Sequence, residues 1–164
     1  MDSTMKRIFL LGGLFLILVL FAFWLKGRGD GRTEVSLWFV DPTRFKLVET
    51  TGMVDGEATV GNALALLFAG TKEQGLESLI PEGVTLLNSY TDDNTLLVDL
   101  SGNINNANWG QEGNWLMLMS IVYTASEVSG RDRVRILIDG KEQAFFANGV
   151  YLGDALKKDP SVLR

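Results

Sequence analysis

Along residues 34 to 146 the hydrophobic period switches repeatedly between two residues and about 3.6. That alternation restricts the chain to folds that mix strands and helices in sequence order. In "EVSLWFV", residues 34 to 40, Val35, Leu37 and Phe39 face one way and Ser36, Trp38 and Val40 the other, as in a half-buried strand. Asp41-Pro42 makes a turn, and "RFKLVET", residues 44 to 50, reads as a second strand, with Gly52 and Asp55-Gly56 as breakers. The period then changes, because Val60, Leu64, Leu67 and Phe68 recur at helical spacing, with Thr59 at the start and Gly70 at the C′ position. Thr71 to Gln74 has capping-box spacing and predicts a short helical turn ending at Gly75. Leu76, Leu79 and Ile80 would fold back as plugs before Pro81, and a Pro-Glu-Gly turn leads out.

Residues 85 to 91 and 95 to 100 are extended runs around Asp92-Asp93-Asn94, whose residue types tolerate left-handed backbone, so they predict an antiparallel hairpin. A loop from Ser101 to Asn108 precedes a second helix beginning around Glu112 to Trp115. Its apolar stripe is Trp115, Leu118, Ile121, Val122 and Ala125, with Ser120, Thr124 and Glu127 turned away. Ser129-Gly130 stops it. In "RVRILI", residues 133 to 138, Val134, Ile136 and Ile138 form one face of a strand, and Arg133, Arg135 and Leu137 the other. Asp139-Gly140 suits a two-residue type I′ loop, and "KEQAFF" can return as its partner strand. The expected order is β-β-α-β-β-α-β-β, an α+β domain whose two helices cover one face of a mostly antiparallel sheet.

The chain lacks both cysteine and histidine. Thiolate and imidazole nucleophiles, the usual zinc sites and the common haem ligands are therefore excluded. Of the formal charge of −5, Asp2, Lys6 and Arg7 make the first 25 residues +1, which leaves −6 for the rest. A domain this acidic is a poor nucleic-acid partner.

Residues 1 to 7 form a short basic tail ahead of "IFLLGGLFLILVLFAFWL", an uncharged run from Ile8 to Leu25 long enough to span a thin hydrocarbon core. A cleavable signal peptide shares this pattern, but no A-x-A-like site follows it. The run predicts a single-pass anchor in the cytoplasmic membrane. Lys26, Arg28 and Arg32 on its far side nearly balance the charges before it, and a short tail with the domain behind the anchor suits an extracytoplasmic domain. Residues 26 to 33, rich in glycine and charge, make a flexible tether, and the Arg28 to Asp30 tripeptide within it is read as chance.

Several motifs in order resemble the GerM domain of bacterial sporulation, spore-germination and other envelope proteins. They are Gly75-Leu76, Ile80-Pro81-Glu82-Gly83, Val98-Asp99-Leu100-Ser101, Ile121-Val122-Tyr123-Thr124 and Val134 to Gly140. The likeness covers residues 34 to 156, leaving 157 to 164 as a tail. It departs from the family pattern at Thr71, where proline is common, and at Thr124-Ala125-Ser126, where Thr-Leu-Thr is usual. The resemblance implies a non-enzymatic module similar to ring-building domains, often tethered to a membrane, with a part in assembling an envelope complex. Gly75, Leu76, Pro81, Gly83, Asp99, Tyr123, Thr124, Asp139 and Gly140 are then structural motif residues.

Asp99 and Asp139 at strand ends are the one conceivable carboxylate pair, yet nothing in the sequence places them together and loop hydrogen bonding accounts for both. Asp92-Asp93-Asn94 lacks the ligand spacing of a calcium loop. No catalytic residue, metal site or cofactor is expected. Arg131, Arg133, Arg135 and Lys141 are the one concentration of positive charge, either a solvated strand face or a surface for an anionic polymer or lipid. Trp109, in the asparagine-rich loop, is a candidate contact for a protein partner or a second copy.

Overall fold

Strands β1, Arg32–Asp41, and β2, Lys46–Asp55, pair as a long hairpin at the start of the part of the chain that the computed structural model describes, residues 31–164. The basic tail, the apolar run and most of the tether lie outside the described residues. Val35, Leu37 and Phe39 point into the core as their alternation requires. The Asp41 carboxylate accepts the backbone N–H groups of Thr43 at 2.9 Å and Arg44 at 3.2 Å, and closes the turn. Strand β2 runs past Gly52 instead of breaking there. A side chain at Gly52 would begin 2.5 Å from Leu66 and 2.7 Å from Leu37, so this glycine marks a close approach to the following helix.

Helix α1, Val60–Phe68, is capped by Thr59, whose hydroxyl accepts the Asn62 N–H at 3.1 Å, and is followed by Gly70 at φ +83°. The next segment is a turn and not a helix. The Thr71 hydroxyl does accept the Glu73 N–H at 3.0 Å, but the chain then extends so that Glu77 and Val40 can exchange backbone bonds of 2.8 and 2.9 Å. Pairing with the free edge of β1 satisfies more backbone groups than one isolated helical turn. Leu79 is buried, and Leu76 and Ile80 pack half-buried on the core, as plugs.

The second sheet contains β3, Leu86–Asp92, then β4, Thr95–Leu100, β5, Arg133–Ile138, and a short last strand of Leu156–Lys157, side by side in that order. The β3–β4 hairpin is antiparallel, but β4 and β5 are parallel, with Leu96, Val98 and Leu100 beside Val134, Ile136 and Ile138. The connection between them is a crossover through helix α2, Gly110–Ser129, and only a crossover can return a strand in the same direction. Antiparallel pairs predominate as expected, and the β4–β5 pair makes this sheet mixed.

Helix α2 is buried almost all round. Ser120 and Thr124, expected on the polar side, are 4% and 0% exposed, because the helix packs against α1 and β2 as well as β5. The Ser120 hydroxyl donates to the Met117 carbonyl at 2.7 Å, whereas the Thr124 hydroxyl has no partner among the described residues. Gly130 at φ +66° ends the helix, its N–H donating to the Ser126 carbonyl.

After β5, Asp139 and Gly140 adopt positive φ and Ile138 and Lys141 exchange backbone bonds, so the tight turn forms. The return strand over residues 141 to 146 does not. Phe145–Phe146, β6, pairs with Val150–Tyr151, β7, while Leu156–Lys157, β8, takes the free edge of β5 at Val134 and Arg133. Phe146 is drawn out of line because its ring is buried in the core. Residues 157 to 164, expected as a tail, pack on the body, where Val162 is buried and Leu163 and Arg164 bond alongside Leu47.

Candidate functional site

The ends of β4 and β5 are held together by reciprocal carboxylate bonds. Asp99 accepts the Gly140 N–H at 2.8 Å and Asp139 accepts the Gly102 N–H at 2.8 Å, while the Asp139 N–H donates to the Leu100 carbonyl at 2.9 Å. Topology does bring the two aspartates to neighbouring strand ends, but each oxygen named here serves the other's loop. A side chain at Gly102 would start 2.4 Å from the Asp139 carboxylate, so that glycine belongs to the device although it escaped notice as the residue after "VDLS". Among the described residues no group of three or more acidic side chains is arranged to hold a metal ion.

Gly75 and Gly83 sit at φ +80° and +79° in the turns around Leu76 and Pro81, and the Gly83 carbonyl accepts the Asn103 side chain at 2.7 Å. Tyr123 is buried with its ring 4.7 Å from that of Trp38. Burial pushes its hydroxyl pKa up, and the nearby Asp159 and Glu127 charges add to that effect. Asp159 itself is held below the ordinary carboxylate range, chiefly by hydrogen bonds from Ser161. It also accepts the Trp115 indole N–H at 3.2 Å. In Asp41 burial works to raise the pKa, but the Arg44 guanidinium and the Arg44 and Thr43 N–H groups outweigh it and lower the value.

The basic residues do not form one patch. Arg131 precedes β5 and Lys141 follows it, so about 20 Å of strand separates them at about 3.3 Å per residue. Arg135 is neutralised by Glu142 at 3.1 Å. Arg131 instead lines a cleft of about 400 Å³ at the C-terminal end of α2, together with Glu127, Asp132, Lys157 and Lys158. The two lysines lie in the segment read as a C-terminal tail beyond the domain. Their adjacency was visible in the sequence, but their place beside Arg131 depends on the β5–β8 pairing.

The N-terminal end of α2 has a different character. Trp109 is 51% exposed, yet its indole N–H donates to the Leu79 carbonyl at 2.6 Å, which fixes the ring's inner edge and leaves the rest outside. Next to the first turns of α2, Gln111, Glu112 and Trp115 meet Val150, Tyr151 and Leu156 around a groove of about 480 Å³. Tyr151 is 52% and Phe145 62% exposed, and their rings touch edge to face at 5.6 Å between centroids. Two large rings are thus left in solvent at the side of a mostly apolar groove. Sequence reasoning missed it, because Phe145 was placed in a regular hairpin and Tyr151 had no partner to be exposed beside.

A family model described as "Germane: Sporulation and spore germination" matches residues 36–144. No curated protein matches the sequence. Among solved structures, the fold is similar to the tandem GerMN domains of the sporulation protein GerM from Bacillus subtilis, with a TM-score of 0.68 and 20% identity over 82% of this chain. That match spans 49% of the tandem structure, about half its length. The first GerMN domain of the same protein is similar at a TM-score of 0.59 and 19% identity, over 77% of this chain and 98% of that one. A putative lipoprotein from Clostridium perfringens is similar at 0.53 and 21% identity, over 82% and 95%. At these identities the likeness to solved structures concerns the fold. The family model covers well over half of the described residues, and this chain belongs to the Germane family of sporulation and spore germination.

Proposed function

We propose that the chain is a membrane-tethered, non-enzymatic interaction module of the bacterial cell envelope that helps to assemble a sporulation-type complex. The observation that carries this reading is the groove between the start of α2 and the β6–β7 hairpin, with Phe145 and Tyr151 presented to solvent beside it. Exposed aromatic rings bury large area at low entropic cost, which makes them the usual anchors of protein–protein contacts. The family's description supports a place in sporulation or germination, and the Bacillus subtilis relative in fold is a sporulation protein.

The uncharged run from Ile8 to Leu25 supports tethering, with the folded domain on the outer side of the cytoplasmic membrane and its partner a second copy or another envelope protein. Among the described residues no helix is long and apolar enough to cross a membrane.

Photoreactive residues at positions 145 and 151 in native membranes should give discrete crosslinked protein species, lost when Trp115 is replaced by Ser. Recovery of uncrosslinked monomer alone from both positions would sink the interaction reading. Deletion of residues 8 to 25 should move the protein from the membrane to the soluble fraction, and continued sedimentation with membranes would contradict the tether.

A further inference from the structure

We infer that the cleft at the C-terminal end of α2 is a binding site for a phosphate group carried on a small polyol, of the glycerol phosphate class. Two of the cations that line it make no ion pair among the described residues. Arg131 and Lys157 line the cleft, and Arg133 stands directly opposite Lys157 across the β5–β8 pair, so the two side chains share one face of the sheet. Like charges at directly opposed positions repel, and among the described residues neither the Arg133 nor the Lys157 side chain makes a hydrogen bond or ion pair. Among the described residues the Arg131 guanidinium makes a single long contact, of 3.5 Å to the Asn94 side-chain oxygen.

Of the two acids that line the cleft, Glu127 is balanced by a lysine and Asp132 keeps its charge. Glu127 is paired with Lys158, whose ammonium also lies 5.6 Å from the centre of the Tyr123 ring, and Asp132 accepts the Asn94 amide at 3.3 Å. The charged side chains that line the cleft sum to +1, and the carbonyl end of α2, at about half a negative charge, draws cations to this end of the helix without cancelling that surplus. The surplus is positive in a chain of formal charge −5, so the cleft is a local reversal of the overall field.

A guanidinium fork beside an ammonium group suits a phosphate better than a single carboxylate, since it offers bidentate donors and a point charge together. The volume of about 400 Å³ exceeds what one bare phosphate fills and leaves room for an attached polyol. The same chemistry occurs free in solution or as a lipid headgroup. This inference is independent of the groove at the other end of α2.

The test uses the full chain in neutral micelles, with amide chemical shifts of Gly130 and Asp132 followed during addition of sn-glycerol 3-phosphate or of short-chain phosphatidylglycerol, with phosphatidylcholine as the blank. Saturable shifts with glycerol phosphate identify the free group as sufficient, and saturation with phosphatidylglycerol alone identifies the lipid headgroup as the source. Either supports the site. Arg131→Gln and Lys157→Gln should each weaken binding about tenfold or more, whereas Arg135→Gln, which removes a cation already paired with Glu142, should change it less than about twofold. The Gln variants keep a polar side chain at exposed or half-buried positions, and thermal melts establish that they fold. The inference is overturned by an absence of saturable shifts with both probes, or by equal weakening in all three variants.

Discussion

The two ends of helix α2 face solvent with opposite chemistry. At the start, Trp115, Tyr151 and Leu156 line a mostly apolar groove and Phe145 lies bare beside it, whereas at the finish Arg131, Lys157 and Lys158 line a basic cleft. About 18 Å of helix separates Trp115 at the groove from Glu127 at the cleft. The last strand serves both. Leu156 and Lys157 are neighbours whose side chains alternate across β8, so one points to the groove and the next to the cleft. The contrast teaches that a rigid buried helix can carry two unrelated surfaces without either specifying the other, provided the core between them stays packed.

The most severe way to break the contrast is to damage that shared core. Leu118 is fully buried at mid-helix, and Leu118→Ala should cost about 2–5 kcal/mol in urea unfolding and weaken groove and cleft together. Loss of one surface alone would show that the helix does not couple them. A sharper cut comes from exchanging the surfaces one at a time. With the photoreactive residue moved to position 112 on the groove's rim, Tyr151→Ser with Phe145→Ser should abolish crosslinking and leave phosphate binding within about twofold, while Arg131→Gln does the reverse at about tenfold.

Smaller effects probe the helix between the ends. The Thr124 hydroxyl is buried and unpartnered, so Thr124→Val, which keeps the shape and removes the orphan group, should stabilise the fold by up to about 1 kcal/mol in the same unfolding assay. A loss of stability instead would reveal a partner for that hydroxyl. The gentlest probe is acid. Asp41 and Asp159 both have folded pKa values below the ordinary 3.8, so the stability they contribute is complete above that value and drains away as pH falls through the lower folded values. Asp159→Asn and Asp41→Asn should flatten the acid limb of a stability–pH curve, and Asp159→Asn should loosen the Trp115 side of the groove first. An unchanged acid limb in both variants would contradict the hydrogen bonding assigned to them.

Much of the domain was legible because its signals are local. Thr59 and Gly70 bound α1, Gly130 ends α2, Asp139-Gly140 makes the tight turn, and Val134, Ile136 and Ile138 face inward as their alternation dictates. The failures share one cause. Thr71 to Gln74 could have begun a helix, "KEQAFF" could have returned beside β5, and Ser120 and Thr124 could have faced water, had the chain elsewhere not claimed those places. Val40 claimed Glu77, Leu156–Lys157 claimed the edge of β5, and α1 with β2 covered the second side of α2.

The candidate surfaces divide in the same way. The types of residue available were plain from the start: no cysteine, no histidine, a few arginines and a late pair of lysines, and exposed-prone aromatics. Which of them meet was not. The sequence-adjacent set Arg131, Arg133, Arg135 and Lys141 is pulled apart along a strand, and Lys157, distant in sequence, arrives opposite Arg133. Residue order alone thus set the elements, their turns and their apolar faces, because those depend on spacing over a few residues and on φ/ψ preferences. Tertiary structure alone decided the parallel β4–β5 pairing, the burial of α2 on both sides and the surfaces at its two ends. Periodicity records that a face or an edge must be covered, and only closure of the whole chain settles what covers it.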